Sequence, residues 1–333
     1  MKIILDAMGG DNAPQAPVMG AIAAAKDFGA QITLVGRGEE ILKVLKDNGI
    51  HDLPQGITVT DAEEVVDMHD DPANVIRKKK NSSMVLGLKM LADGMGDAFV
   101  SAGSTGALLS GATLLVKRVK GIRRAAMGPA MPNKAGGKTV ILDCGANAEC
   151  TPEFLLQFGL VGSLYMKKNL GIENPRVGLL NNGAEEHKGT ELQIETYKRL
   201  SANKNINFVG NIEGNTASKN TCDVLVTDGF AGNIFVKTVE GLGKMMLRAL
   251  KDVFYKNTRT KVSALLIKGE INGIKKAFDP SEVGGAPILG IKKPVIKSHG
   301  SSDAKTFKNA IKQAYAYSNA CIEPLIEETL ANL

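Results

Sequence analysis

The sequence predicts an α/β protein of three layers, a mainly parallel sheet with helices on both faces. Short β-branched runs alternate with helical patterns along most of the chain. Many of the 37 glycines cluster at the ends of those runs, as tight turns. With 333 residues, 44% hydrophobic and 23% charged, the chain suits a soluble enzyme of one large domain.

The elements follow in order. Lys2 to Leu5 reads as a strand ending in Asp6-Ala7-Met8-Gly9-Gly10-Asp11, with a helix from about Pro14. Gln31 to Val35 is the next strand, closed by Gly36-Arg37-Gly38, and helix Glu39 to Asn48 and strand Ile57 to Thr60 continue the alternation. Asp97 to Ser101 runs into Ala102-Gly103-Ser104-Thr105-Gly106 and a helix. Thr139 to Asp143 runs into Cys144-Gly145-Ala146-Asn147, and Arg176 to Leu180 into Asn181-Asn182-Gly183-Ala184. Asn207 to Val209 and Val224 to Thr227 complete the set. In parallel sheets ligands sit beyond the carboxyl ends of strands, the edge that carries most of these turns.

From Phe235 to Phe278 the alternation stops. Val239, Leu242, Met246, Leu250 and Val253 recur at steps of three and four, an amphipathic helix. A loop around Lys256 to Lys261 follows. A second helical stretch then carries Val262, Leu265, Leu266, Ile267, Ile271 and Ile274 among lysines. The expectation is a single enzyme domain over residues 1–333 from which a helical hairpin, 235–278, protrudes. The hairpin stems suit a dimer interface, and the tip at 256–267 suits contact with a membrane surface.

Composition narrows the function classes. No apolar run approaches the roughly 20 residues of a membrane span, and the apolar start is too short for a secretory segment. The four cysteines lack CxxC spacing and read as reduced and cytoplasmic. The four histidines are scattered, so no metal site is expected. The net charge of +6 is clustered in Arg77-Lys78-Lys79-Lys80, in Lys117 to Arg124 and in Ile291 to Lys297. Such clusters are solvated faces or docking sites for anionic partners. No stacking aromatics are interleaved with them, which argues against single-stranded nucleic acid.

Five turns carry the chemistry. Ser101 to Ala107 follows a strand and opens a helix, so its glycines let N–H groups approach an anion while Ser104 and Thr105 offer hydroxyls. Thr227 to Asn233, Asn181 to Gly189, Ser298 to Asp303 and Asp143 to Asn147 have the same character. One such turn is equally well a capped corner; five on one parallel sheet predict a phosphate site. There is no Walker sequence and no nucleophile elbow.

Together the segments DAMGGDNAP (6–14), RKKKNSSM (77–84), SAGSTGAL (101–108), LLNNGAEEHKG (179–189), TDGFAGN (227–233) and KSHGSSD (297–303) resemble bacterial phosphate acyltransferase, the acyl-acyl-carrier-protein:phosphate transacylase of phospholipid synthesis. The likeness covers essentially the whole chain. It implies conversion of acyl carrier protein thioester and inorganic phosphate to acyl phosphate, without a cofactor. It also implies a homodimer and a fold similar to phosphotransacetylase and the isocitrate/isopropylmalate dehydrogenases. The family lysine falls on Lys188 and the family acid on Asp228. Asn12 stands where many relatives carry His, which argues against a general base there. On this reading Lys188 holds phosphate or the developing oxyanion and Asp228 orients Lys188 or the phosphate. Gly103, Ser104, Thr105, Gly106, Asn147, Gly232, Asn233, His299 and Ser301 line the phosphate site. Carrier protein is strongly acidic, so Arg77, Lys78 and Lys79, or Arg123 and Arg124, are the expected docking residues. The alternatives are a short-chain phosphotransacetylase using coenzyme A, a decarboxylating dehydrogenase, which needs clustered aspartates and a nucleotide site not evident here, and a non-enzymatic acyl carrier, which leaves the turns unexplained.

Overall fold

The computed structural model describes residues 1–332 except 68, 73, 134, 135, 270, 272 and 274–279. The chain opens with β1 (Lys2–Asp6), α1 (Gln15–Phe28), β2 (Gln31–Gly36), α2 (Gly38–Asp47) and β3 (Ile57–Asp61). Next come α3 (Val75–Lys78), α4 (Ser83–Ala92), β4 (Ala98–Ser101) and α5 (Thr105–Gly111), which continues as a π turn over Ala112–Val116. After β5 (Ala126–Met127) and β6 (Ala130–Pro132) follow β7 (Lys138–Leu142), α6 (Pro152–Leu170), β8 (Arg176–Asn181), α7 (Glu191–Ala202), β9 (Asn207–Glu213) and β10 (Val224–Val226). The last third holds α8 (Gly229–Tyr255), α9 (Thr258–Leu266), β11 (Ala286–Leu289), β12 (Val295–Lys297), α10 (Ala304–Ala320) and α11 (Glu323–Ala331).

The expected α/β/α layering is present, but the strands form two sheets. One has the order β3-β2-β1-β4-β12-β11-β5 and the other β6-β7-β10-β8-β9. Pairing is parallel except at β5–β11, β11–β12 and β6–β7. The switch between sheets is local: Gly128 N–H donates to Pro287 O of the first sheet at 2.9 Å, and Pro129 O accepts from Ile141 N of the second at 3.0 Å. A Cβ at Gly128 would sit 3.0 Å from Leu142 Cδ2 and 3.2 Å from Val140 Cγ1, so the crossing is tightly packed. One apolar cluster joins the sheets, running from Ile3, Leu5 and Val100 through Leu142, Val224 and Tyr317. Central strands such as KIILD are buried on both faces, which is why they read as continuous apolar runs. Helices α1 and α10 approach closely because Gly20 faces Phe307, whose Cβ would lie 2.5 Å from an added methyl.

The hairpin differs from expectation at two points. Its first helix starts at Gly229, inside the expected turn, because the Asp228 carboxylate caps it by accepting from Ala231 N. Its expected loop is nearly absent, since Asn257 and Thr260 form a reciprocal cap that starts α9 at Thr258. Ile274 and Phe278, at the far end of the expected hairpin, lie outside the described residues. The apolar face is open to solvent, with Leu265 70% and Leu266 81% exposed. Among the described residues, no helix is long and apolar enough to cross a membrane.

Candidate active site

Three strand ends of the first sheet are laced together. Asp6 at the end of β1 is fully buried and accepts from Ser101 Oγ at 2.7 Å and Met8 N at 3.1 Å. Burial pushes its carboxyl up, while the Ser83 and Ser101 hydroxyls and the N–H groups of Met8 and Gly9 pull the other way. Ser101 Oγ also accepts from Gly103 N at 3.0 Å, shaping the 101–106 turn. Gly9 lies where a Cβ would be 2.7 Å from Gly103 N. The 298–302 turn closes the group: Asp11 N donates to Gly300 O at 2.8 Å, and Asn12 Nδ2 donates to Ser301 O and Ser302 O. Asn12 is thus a strap between two turns. His299 Nδ1 accepts from Ser301 N at 3.2 Å and pairs with Ser301 Oγ at 2.9 Å. Burial, aided by Lys237, holds the imidazole pKa down. A cleft of about 560 Å³ opens beside these loops, lined by Met8, Asp11, Arg37, Lys79 and Gly103 among others.

The second sheet contributes a second group. Asp143, buried after β7, accepts from Met127 N, Cys144 N, Ala146 N and Asn147 N and from Asn147 Nδ2, at 2.6–3.1 Å. Burial again raises its carboxyl pKa, and the N–H groups of Met127 and Asn147 oppose the rise. The first turn of α8 is pressed onto this turn. Gly229 N donates to Asn147 O at 2.8 Å, and a Cβ at Gly232 would fall 2.0 Å from Asp143 O, a contact no other residue type permits. Exposed Asn233 stands beside Gly145 and Cys144.

Helix α8 brings the groups together. His299 of one group and Cys144 of the other both feel Lys237 and Glu240, in its third and fourth turns. Of the expected phosphate-site residues, Gly103, Ser104, His299 and Ser301 thus belong to the group at the first sheet, and Asn147, Gly232 and Asn233 to the group at the second. Ser104 is buried at the start of α5, and Thr105 and Gly106 follow half-buried, with Gly106 against Pro72. The Lys188 turn is held from its own sheet, where Asn211 Nδ2 donates to Glu185 O and Asn181 Nδ2 to Lys188 O. Lys188 is half-buried, its stem beside Gly183. No ion pair joins it to Asp228 among the described residues; the Asp228 carboxylate serves as the α8 cap instead.

No thiol here is an activated nucleophile. Burial pushes the Cys144 and Cys150 thiols up to about 12, with Asp143 adding to the rise at both. No group of acids, histidines and cysteines suited to a metal occurs among the described residues. Of the basic residues, Arg77 and Lys78 are exposed, whereas Lys79 is committed to Asp70 at 2.6 Å and to Val65 O. Arg123 pairs with Glu153 and Arg124 lies over the Phe154 ring, centroid 5.7 Å away. Both line a groove of about 1080 Å³ with Arg118 and Arg199. Asp6 and Lys297, which the sequence did not single out, each stand at a strand end directly before a glycine turn.

Fold and strand-end geometry define the class: an α/β/α protein whose glycine turns gather beyond the carboxyl ends of its parallel strands. The comparisons make it specific. The family model described as fatty acid synthesis protein matches residues 1–322. The phosphate acyltransferase of Acetivibrio thermocellus is 45% identical over 100% of this chain and 97% of that protein. That of Bacillus licheniformis is 42% identical, covering 99% and 98%, and that of Clostridium acetobutylicum 43% identical over the full length of both. The chain belongs to this fatty acid synthesis family, whose curated relatives are phosphate acyltransferases, and it is an acyltransferase of phosphate. Solved structures with the same fold include a phosphotransacetylase from Streptococcus pyogenes, with TM-score 0.60, 19% identity and coverage of 95% and 94%. A 4-hydroxythreonine-4-phosphate dehydrogenase from Klebsiella pneumoniae follows with TM-score 0.55, 11% identity and coverage of 96% and 99%.

Proposed function

We propose that the acyl donor is fatty acyl carrier protein and that inorganic phosphate is the nucleophile. A phosphate oxygen attacks the thioester carbonyl carbon, charge develops on the carbonyl oxygen, and the C–S bond breaks. The carrier thiolate leaves and takes a proton from solvent. Phosphate is already anionic near neutral pH, so positioning and charge stabilisation are the main demands. The observation that carries this reading is the lacing of the 101–106 and 298–302 turns at one strand edge, without an activated nucleophile nearby. Lys188 holds phosphate or the oxyanion; Ser104, Thr105, Asn233, His299 and Ser301 surround the phosphate, and Asn147 and Gly232 shape its walls. Asp228 acts by fixing the start of α8.

The direct test supplies carrier protein thioester and phosphate and measures free thiol and acyl phosphate, the latter trapped with hydroxylamine. Equal turnover with a short-chain coenzyme A thioester favours the phosphotransacetylase reading, and binding without thiol release sinks both. The arginine groove beside the 143–150 turn is the proposed docking face for the acidic carrier. Arg123→Glu with Arg124→Glu is expected to raise the carrier KM about tenfold at low salt, an effect that shrinks as salt screens the charges. An unchanged KM moves docking to the exposed Arg77 and Lys78 or elsewhere.

The exposed hairpin fits a homodimer through its stems and a peripheral contact of 256–267 with the inner face of the cell membrane, the rest of the chain being cytoplasmic and forming one domain. The support is the open apolar face of α8 and α9. Leu242→Glu with Met246→Glu is expected to convert a dimer to a monomer in sedimentation velocity. Leu265→Ser with Leu266→Ser is expected to reduce co-sedimentation with anionic vesicles while leaving the oligomer intact. A wild-type monomer, or vesicle binding untouched by the tip changes, refutes the respective role.

A further inference from the structure

Lys297 is the last residue of β12 and pairs in register with Ser101 at the end of β4. In the sequence it belongs to a basic run, IKKPVIK, of which Lys292 is exposed to solvent. The register turns Lys297 another way. Its Nζ donates to Ala102 O at 3.3 Å and to the carbonyl of Ser298. These carbonyls start the two anion-compatible turns, one on each strand, so the ammonium lies at their junction.

The charge there has acidic neighbours but no direct partner. No ion pair to Lys297 occurs among the described residues. The charged groups facing it are Asp6 from β1, Asp11 from the following loop, Lys237 from α8 and His299 two residues on. Asp6 is already committed to the hydroxyls of Ser83 and Ser101 and the N–H groups of Met8 and Gly9. A half-buried cation whose direct contacts are carbonyl dipoles, with its acidic neighbours beyond ion-pair distance, can gain from an anion that completes its shell. Two carbonyl bonds also leave one of its three N–H donors unassigned. Burial brings the ammonium down to about 8, with Lys237 adding to the fall and Asp6 and Asp11 opposing it.

We propose that Lys297 is a phosphate-binding residue, whose ammonium, anchored on the carbonyls of Ala102 and Ser298, is the counter-charge for phosphate at the junction of the two turns. The assignment rests on the phosphate-transfer reading above and adds to it a residue and a pH window. Below about 8 the ammonium is charged and phosphate binds; as pH rises through that value the proton is lost and phosphate affinity falls.

The test uses the full chain and Lys297→Met and Lys297→Arg variants. Inorganic phosphate is titrated by thermal shift, and KM is measured separately for phosphate and for the carrier thioester. Lys297→Met is expected to raise the phosphate KM on the order of tenfold or more, as loss of a charged hydrogen bond does, and to lose the thermal shift, with the thioester KM near wild type. Lys297→Arg is expected to recover most of the phosphate affinity. It should also abolish the rise of phosphate KM with pH, because guanidinium stays charged throughout. A folded Lys297→Met protein with wild-type phosphate KM and thermal shift overturns the assignment. If that variant does not fold, Lys297→Gln decides: a folded Lys297→Gln protein with wild-type phosphate KM and thermal shift overturns the assignment. A wild type that neither responds to phosphate nor makes acyl phosphate removes the transfer reading itself, a distinct result.

Discussion

Lys188→Ala is expected to lower acyl phosphate formation about 100- to 1,000-fold, the range for losing one group that stabilises a developing oxyanion. The melting temperature should stay near wild type, because the ammonium makes no ion pair among the described residues and its turn is fixed through backbone carbonyls. The kinetic parameters separate its two roles. If Lys188 grips ground-state phosphate, the phosphate KM rises; if it meets charge only at the transition state, kcat falls and KM holds. A folded variant with near-normal turnover eliminates both.

Asp143→Ala is expected to cost stability rather than chemistry. Its oxygens accept from Met127 N, Ala146 N and Asn147 N, which lose that acceptor in the variant, whereas Cys144 N retains Met127 O. Orphaned buried donors cost about 1–3 kcal/mol each. Removing a carboxylate that burial disfavours returns part of that, leaving a net loss of about 3 kcal/mol. The thermal midpoint should fall by several degrees, and the phosphate KM should rise as the 143–147 turn loosens under Gly229 and Gly232. Asn does not rescue, because both carboxylate oxygens accept two or more N–H groups and an amide nitrogen would oppose donors with donors. An Asp143→Ala midpoint equal to wild type disproves this account.

What the sequence disclosed divides along local and non-local lines. The strands and their turns were legible because each is a contiguous run with its own stop signal. The split into two sheets was not, since it depends on two- and three-residue strands at Ala126–Met127 and Ala130–Pro132 whose partners lie elsewhere in the chain. The early start of α8 was available in principle: Asp228 is a standard cap, but the glycines after it read as turn. Lys297 was hidden by its neighbours. In a basic run nothing local marks the lysine whose Nζ turns onto the carbonyls of Ala102 and Ser298.

Helix α8 begins at the Asp228 cap and ends at Tyr255 beside the exposed apolar tip. At about 1.5 Å per residue it is one continuous helix roughly 40 Å long. Its first turn is jammed against Asp143 by Gly232, so that end has no slack. Such a member behaves as a pushrod. Whatever clamps the far end fixes the tilt of the wall that carries Asn233, Lys237 and Glu240. Gly241 and Gly243, midway along, are where it would bend first.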